Sequence, residues 1–211
     1  MKTIYSRLRQ SLALFAACFL TLPVAYAQQK WVNYTYAAFF GNLAFEGDDV
    51  WVATQGGLVQ VNRISGAKQV YLPTNSGLKG ATVWDVLVDK EGVKWIGSEH
   101  GGLLRYDGAN WEQYREVNTG DTLIYIENLR QDTSGRLWFT SRVNGDCNGC
   151  NKLLYLENGQ FHRVPNVPGI GTARYFKFLA PDNEGNMWAA AHSTVAKIKN
   201  DTTFISVVDR G

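Results

Sequence analysis

The run Asp89-Lys90-Glu91-Gly92-Val93-Lys94-Trp95-Ile96-Gly97-Ser98-Glu99-His100-Gly101-Gly102-Leu103-Leu104-Arg105-Tyr106 decides how the rest of the chain is read. It contains two short apolar strands, each introduced by a turn. Asp89 can accept backbone N–H groups and Gly92 can take a positive φ, which together signal a hairpin. The tryptophan strand recurs as Asp49-Val50-Trp51-Val52-Ala53-Thr54, Arg136-Leu137-Trp138-Phe139-Thr140-Ser141 and Asn186-Met187-Trp188-Ala189-Ala190-Ala191. Successive tryptophans lie roughly 40–50 residues apart, the period of propeller blades and not of ankyrin or tetratricopeptide helices.

Every repeat has the same internal order. A strand (Val83 to Val88, Leu123 to Leu129, Phe176 to Leu179) runs into a polar turn (Asp89 to Gly92, Asp132 to Gly135, Asp182 to Gly185) and then the tryptophan strand. A Gly-rich turn leads to a third strand, as in Gly57-Leu58-Val59-Gln60-Val61. A fourth closes the unit: Gln69-Val70-Tyr71, Trp111-Glu112-Gln113-Tyr114, Gln160-Phe161-His162 and Thr203-Phe204-Ile205-Ser206. The pattern predicts an all-β propeller of about four four-stranded antiparallel blades, over 39–75, 79–115, 120–164 and 171–208. One such sheet cannot bury both faces alone, so blades must stack with the tryptophans between them as core.

Composition narrows the function. With 45% hydrophobic and 13% aromatic residues in 211, the chain is built to fold. A net charge of +2 is far from the dense basic surface that nucleic-acid binding needs, so no nucleic-acid partner is expected. Three of the basic residues, Lys2, Arg7 and Arg9, precede an apolar stretch from Ser11 to Val24 and the small-residue site Ala25-Tyr26-Ala27. This reads as a cleaved export signal over 1–27, placing the rest in the periplasm or outside the cell. The stretch contains Pro23 and is short for a spanning helix, which weighs against an uncleaved anchor. Phe15-Ala16-Ala17-Cys18 lacks the aliphatic residue usual before a lipidated cysteine.

The Asp-x-x-Gly turn, the Trp-Ile-Gly strand, the following Gly-Leu and the aromatic strand end resemble the two-component-regulator propeller repeats. These occur in the exported sensor regions of hybrid histidine kinases and in related secreted bacterial proteins. Asp89 to Tyr106 carries the pattern nearly throughout, and Asp132 to Trp138 carries it locally. The resemblance covers the chain after the leader and implies a non-catalytic sensor module that binds an extracellular ligand, often a saccharide. Two places depart from it: Asp48 stands where the first turn glycine is expected, and Ala191-His192-Ser193-Thr194-Val195 has no Gly-Leu.

Trp31-Val32-Asn33-Tyr34 reads as one strand more than four closed blades need, which points to an open array or to part of a longer propeller with further blades or signalling domains. Cys147 and Cys150 fall in an extension of the third unit, Arg142 to Lys152, and in an oxidising compartment their spacing suggests a local disulfide. Redox and half-zinc readings lack a helix or further ligands, and Asn151 after Cys150 excludes haem attachment. No metal or cofactor is expected. Loops after the tryptophan strands should open on one face together with the segments joining the blades. That gathers Gln55, Glu99, His100, Arg142 and His192 as candidates for binding a polar ligand. Catalytic residues are not assigned, although streptogramin-inactivating lyases, which use His and a divalent metal on a similar propeller, keep an enzyme alternative through His100 and His192. A non-binding scaffold fragment is the remaining alternative.

Overall fold

The computed structural model describes residues 40–143, 151–165, 176–191, 194–199 and 203–206. The expected leader over 1–27, the strand at Trp31 to Tyr34, Cys147, Cys150, His192 and the joining segment 166–174 lie outside the described residues. All described elements fall within one unit, Tyr36–Gly211.

Among the described residues sixteen strands form four sheets of four. Blade 1 holds β1 (Phe40–Glu46), β2 (Asp49–Thr54), β3 (Gly57–Asn62) and β4 (Lys68–Tyr71). Blade 2 holds β5 (Val83–Val88), β6 (Lys94–Ser98), β7 (Gly102–Tyr106) and β8 (Trp111–Tyr114). Blade 3 follows with β9 (Leu123–Gln131), β10 (Leu137–Val143), β11 (Asn151–Glu157) and β12 (Gln160–Arg163). Blade 4 has β13 (Phe178–Pro181), β14 (Met187–Ala191), β15 (Thr194–Lys199) and β16 (Thr203–Ser206). Every strand pairs antiparallel with its chain neighbour, so each blade is a meander. The blades meet in chain order: β1 and β2 pack on β5, β5 to β7 pack on β9, and β9 packs on β13. Among the described residues this is an open run of propeller blades, as the repeat count leads one to expect.

Among the described residues the core consists of three clusters, one per blade junction. Trp51, Ala53 and Leu58 of blade 1 meet Val83, Val86, Ile96 and Leu104 of blade 2. Trp95 and Leu103 meet Ile126, Leu129, Leu137, Phe139 and Leu154 of blade 3. Trp138, Leu153 and Tyr155 meet Leu179, Met187, Ala189, Ala196 and Ile198 of blade 4. Each blade thus presents a tryptophan face to one neighbour and an aliphatic face to the other, a consequence of the two-residue alternation of strands. Trp51, Trp95 and Trp138 are core, as the repeats suggest, whereas Trp188 of blade 4 is half-buried.

The Asp-x-x-Gly turn does more than reverse the chain. Asp89 accepts the Glu91 and Val93 amides at 3.0 and 2.8 Å with one oxygen, and the Trp95 indole N–H at 2.8 Å with the other. Asp132 and Asp182 hold Trp138 and Trp188 in the same way, at 2.8 and 3.0 Å. One carboxylate therefore closes the turn and fixes the largest core side chain. In blade 1 the turn is one residue shorter: Glu46 pairs with Asp49, and Gly47 takes φ 59°. The departure seen at Asp48 is thus a different hairpin with its glycine one place earlier. The longer Glu46 side chain still reaches the Trp51 indole at 2.8 Å. A salt bridge from the buried Lys94 ammonium of blade 2 to Glu46, at 2.9 Å, ties this turn across the first junction, with Lys94 also over the Trp51 ring.

Candidate functional site

The first strands of consecutive blades carry irregularities. β1 shifts register between Phe40 and Leu43, β5 between Val83 and Asp85, and β9 near Asn128, which adopts φ 58°. Bulges re-aim side chains, and here they turn polar and aromatic groups of β5 and β9 toward one another. Trp84, the bulged residue of β5, lies against Tyr125 of β9 with ring centroids 4.9 Å apart. Arg142 of β10 pairs in register with Tyr125 and sets its guanidinium 4.4 Å above that ring.

Glu99 and His100 reach the same place from blade 2. They form the β6–β7 turn, where Glu99 bridges to Tyr125 and the His100 amide donates to the Ile124 carbonyl at 2.6 Å. His100 takes φ 62°, an uncommon conformation for a residue other than glycine. Its imidazole lies 3.7 Å from the Glu99 carboxylate and is well exposed. The joining segment and β8 support the turn, because the Thr82 carbonyl accepts the Glu99 amide at 3.0 Å and Gln113 of β8 donates to the Gly101 carbonyl at 2.9 Å.

Three of the sequence candidates, Glu99, His100 and Arg142, therefore converge on Tyr125. Gln55 sits in the matching β2–β3 turn, one blade away. His192 lies outside the described residues. Arg142, read from the sequence as the first residue of a loop, belongs to β10 and pairs with both Tyr125 and Asn151, because the strand runs on to Val143. Ser141 likewise pairs Lys152, so the extension of blade 3 is shorter than its sequence suggests.

The structure adds Trp84, Asp85, Tyr125 and Glu127. One signal was available in the sequence: Trp84 lies outside the tryptophan register of the repeat, on a first strand. The electrostatics follow from burial. Desolvation pushes the Glu127 carboxyl above its ordinary range, against the pull of Tyr125 and Arg142. Burial and the Glu127 charge raise the Tyr125 phenol, with Arg142 opposing. Asp85 is also raised by burial, although its carboxylate accepts the Leu129 amide at 2.8 Å and has Arg130 4.0 Å away. The Trp84 indole N–H is buried with no hydrogen-bond partner among the described residues. Two aromatic rings, a cation, two carboxylates and an unmet donor can bind a molecule with an apolar face and polar edges. Among the described residues no three His, Cys, Asp or Glu side chains gather as a metal site would require.

The folded shape has counterparts among solved structures. The extracellular domain of BT4673 from B. thetaiotaomicron, assigned to a hybrid two-component system, superimposes with a TM-score of 0.63 at 20% identity, over 81% of this chain and 22% of that one. PorZ of Porphyromonas gingivalis, a bacterial surface component of the type-IX secretion system, gives 0.62 at 18%, over 79% and 26%. XC5397 of Xanthomonas campestris, a gluconolactonase, gives 0.59 at 14%, over 80% and 61%. At such identities the likeness speaks for the fold, which is that of β-propeller proteins. The chain spans about a fifth of the BT4673 domain, 22% of its length. No family model matches the sequence, and no curated protein does.

Proposed function

We propose that the chain is an exported, non-catalytic propeller module that binds a small polar ligand, a saccharide or similar, at the cluster around Tyr125. The observation that carries this reading is the convergence of Glu99, His100 and Arg142 from two blades on one aromatic pair whose indole donor is unmet. Aromatic faces take the apolar side of a ring, and the guanidinium and carboxylates take its hydroxyls. Likeness in fold to the extracellular domain of BT4673 supports a sensor-type role. On this reading the leader ends at Ala27, the blades run over 39–75, 79–115, 120–164 and 171–208, and Cys147 and Cys150 form a disulfide in the loop of blade 3. The longer solved counterparts support further blades or signalling domains joined to this module.

A thermal-shift and calorimetric screen against mono- and oligosaccharides tests the reading. A ligand is expected whose binding falls at least tenfold in Arg142→Ala and Glu99→Gln. No response across the panel, or binding that these changes leave intact, overturns it. An enzyme on the same scaffold is the second reading, favoured by the likeness in fold to a gluconolactonase. It requires turnover that Glu99→Gln or a change at His100 or His192 abolishes.

A further inference from the structure

The first strands of blades 1, 2 and 3 shift register at the same place in the repeat, at the pairs Gly41-Asn42, Trp84-Asp85 and Glu127-Asn128, set 43 residues apart. The second member of the pair serves the junction with the next blade. Asn128 donates its amide to the Phe176 carbonyl at 3.4 Å, and Asp85 accepts the Leu129 amide at 2.8 Å through Oδ2. An asparagine at 85 would make that bond as well, and asparagine is what the repeat places there in blades 1 and 3. The first member varies: glycine, tryptophan and glutamate. Of the three blades, only blade 2 combines an aromatic side chain with a carboxylate at this place.

The Asp85 charge is poorly met. Its side chain is 6% exposed, and Oδ1 is buried with no hydrogen-bond partner among the described residues. The Arg130 guanidinium stands 4.0 Å away and is engaged with the Leu129 and Leu179 carbonyls at 2.6 and 3.1 Å. The other groups that face Asp85 are the Asn42 amide of blade 1 and the Glu127 carboxylate, which repels it. A buried charge held this loosely costs stability, so the junction gains nothing from it over an amide. Trp84, its neighbour in sequence, also carries an unmet polar atom, the indole N–H, and its ring lies against Tyr125.

We infer that Asp85 sets the charge preference of the Tyr125 site, which takes a ligand bearing a primary ammonium group, a saccharide with a free amine, over neutral or acidic ones. This rests on the reading of that cluster as a ligand site. Three carboxylates, Asp85, Glu99 and Glu127, stand around the Trp84 and Tyr125 rings, against two guanidiniums, Arg130 and Arg142. Arg142 lies over the Tyr125 ring at 4.4 Å, so the aromatic pair already holds one cation. Glu99 is the carboxylate open at the rim, its side chain 36% exposed and the exposed His100 imidazole 3.7 Å away. A ligand ammonium can meet Glu99 there. Asp85 and Glu127 add their charge through an interior that screens it weakly, which lets a buried residue discriminate without touching the ligand. An acidic ligand would meet the same charges as repulsion.

Calorimetric titration at pH 7 with glucosamine, N-acetylglucosamine, glucose and glucuronate tests this on the unmodified chain and on Asp85→Asn. Glucosamine is expected to bind at least tenfold more tightly than the other three. In Asp85→Asn that preference shrinks at least fivefold, while thermal unfolding finds the variant no less stable; a purely structural role would move stability and leave the preference alone. Should Asp85→Asn fail to fold by circular dichroism, Asp85→Ser removes the same charge and keeps an acceptor. Binding without a preference for glucosamine, a preference that the variant leaves intact, or a loss equal for every sugar overturns the inference and leaves the ligand site standing. Absence of binding by all four sugars overturns it too, and the Arg142→Ala comparison on the wider saccharide panel then decides whether the site itself stands.

Discussion

Phe139 in blade 3 and Val52 in blade 1 occupy the same place in the repeat, one residue after the tryptophan, and their surroundings differ sharply. Phe139 is 0% exposed, packed between Leu154 and the Trp95 face of blade 2, whereas Val52 is only half-buried on a face with no described neighbour. The turns differ in parallel. Asp132 is fully enclosed and receives the Ser134 and Arg136 amides, the Arg136 guanidinium and the Trp138 indole. Glu46 does the equivalent work in blade 1 from a partly exposed site. A repeat fixes which face is apolar; only the adjoining blade decides whether that face is buried.

The largest way to break this comparison is to truncate the two matched positions. Phe139→Ala should lose about 3–5 kcal/mol of stability in urea denaturation, and Val52→Ala about 1 kcal/mol or less, because a half-exposed side chain gives up little transfer energy and leaves no closed cavity. Equal losses would show that blade 1's outer face is covered in solution. Next comes the pair of indole acceptors. Asp132→Ala should cost about 3 kcal/mol, since it strands several donors in a buried turn, while Glu46→Gln, which keeps one acceptor for the two donors Trp51 and Lys94, should cost about 2 kcal/mol.

The first of those costs should depend on pH. Burial raises the Asp132 carboxyl, but hydrogen bonds from Ser134, Trp138 and Arg136 outweigh it and hold the group below its ordinary value. Its contribution is therefore complete above the usual carboxylate range, near about pH 4, and is lost as pH falls below that. Denaturation of the unmodified chain and Asp132→Ala at pH 7 and pH 3 should show the gap between them shrinking.

The smallest effect sharpens the comparison from the other direction. Asp85 is raised by burial, so its charge costs stability above its folded pKa and the cost vanishes as pH falls through that value. Asp85→Asn keeps an acceptor for the Leu129 amide and should gain about 1 kcal/mol at pH 8, fading toward acid pH. A loss of stability at pH 8 would mean that the carboxylate is held by a charge the described residues do not provide.

Much of the fold is legible from two features, the tryptophan period and the Asp-x-x-Gly turns, because blade packing requires an apolar face at a fixed strand position and a tight turn before it. The blade 1 turn was harder to read: Glu46 takes over the indole through a shorter hairpin, and nothing local marks a glutamate as the substitute for an aspartate. The candidate site was half legible. Glu99 and His100 follow from the rule that turns after the tryptophan strands share one end of the blades, and Arg142 lies at that end although it belongs to β10 and not to a turn. Tyr125, Glu127 and Asp85 do not, because their orientation depends on bulges set by contact between β5 and β9.

Gly97 shows the division clearly. The sequence by itself determined the repeat, the strand order, the turn residues and the tryptophan core, since each is a local or periodic demand of backbone geometry. It also placed a glycine in the middle of the Trp95 strand without giving a reason. A Cβ there would lie 2.6 Å from the Ile126 carbonyl oxygen of the next blade, so the residue is set by how closely two sheets approach. Tertiary structure alone decided such contacts, the meeting of two blades at Tyr125, and the exposure of one face of blade 1, because all three depend on what the neighbouring sheet supplies.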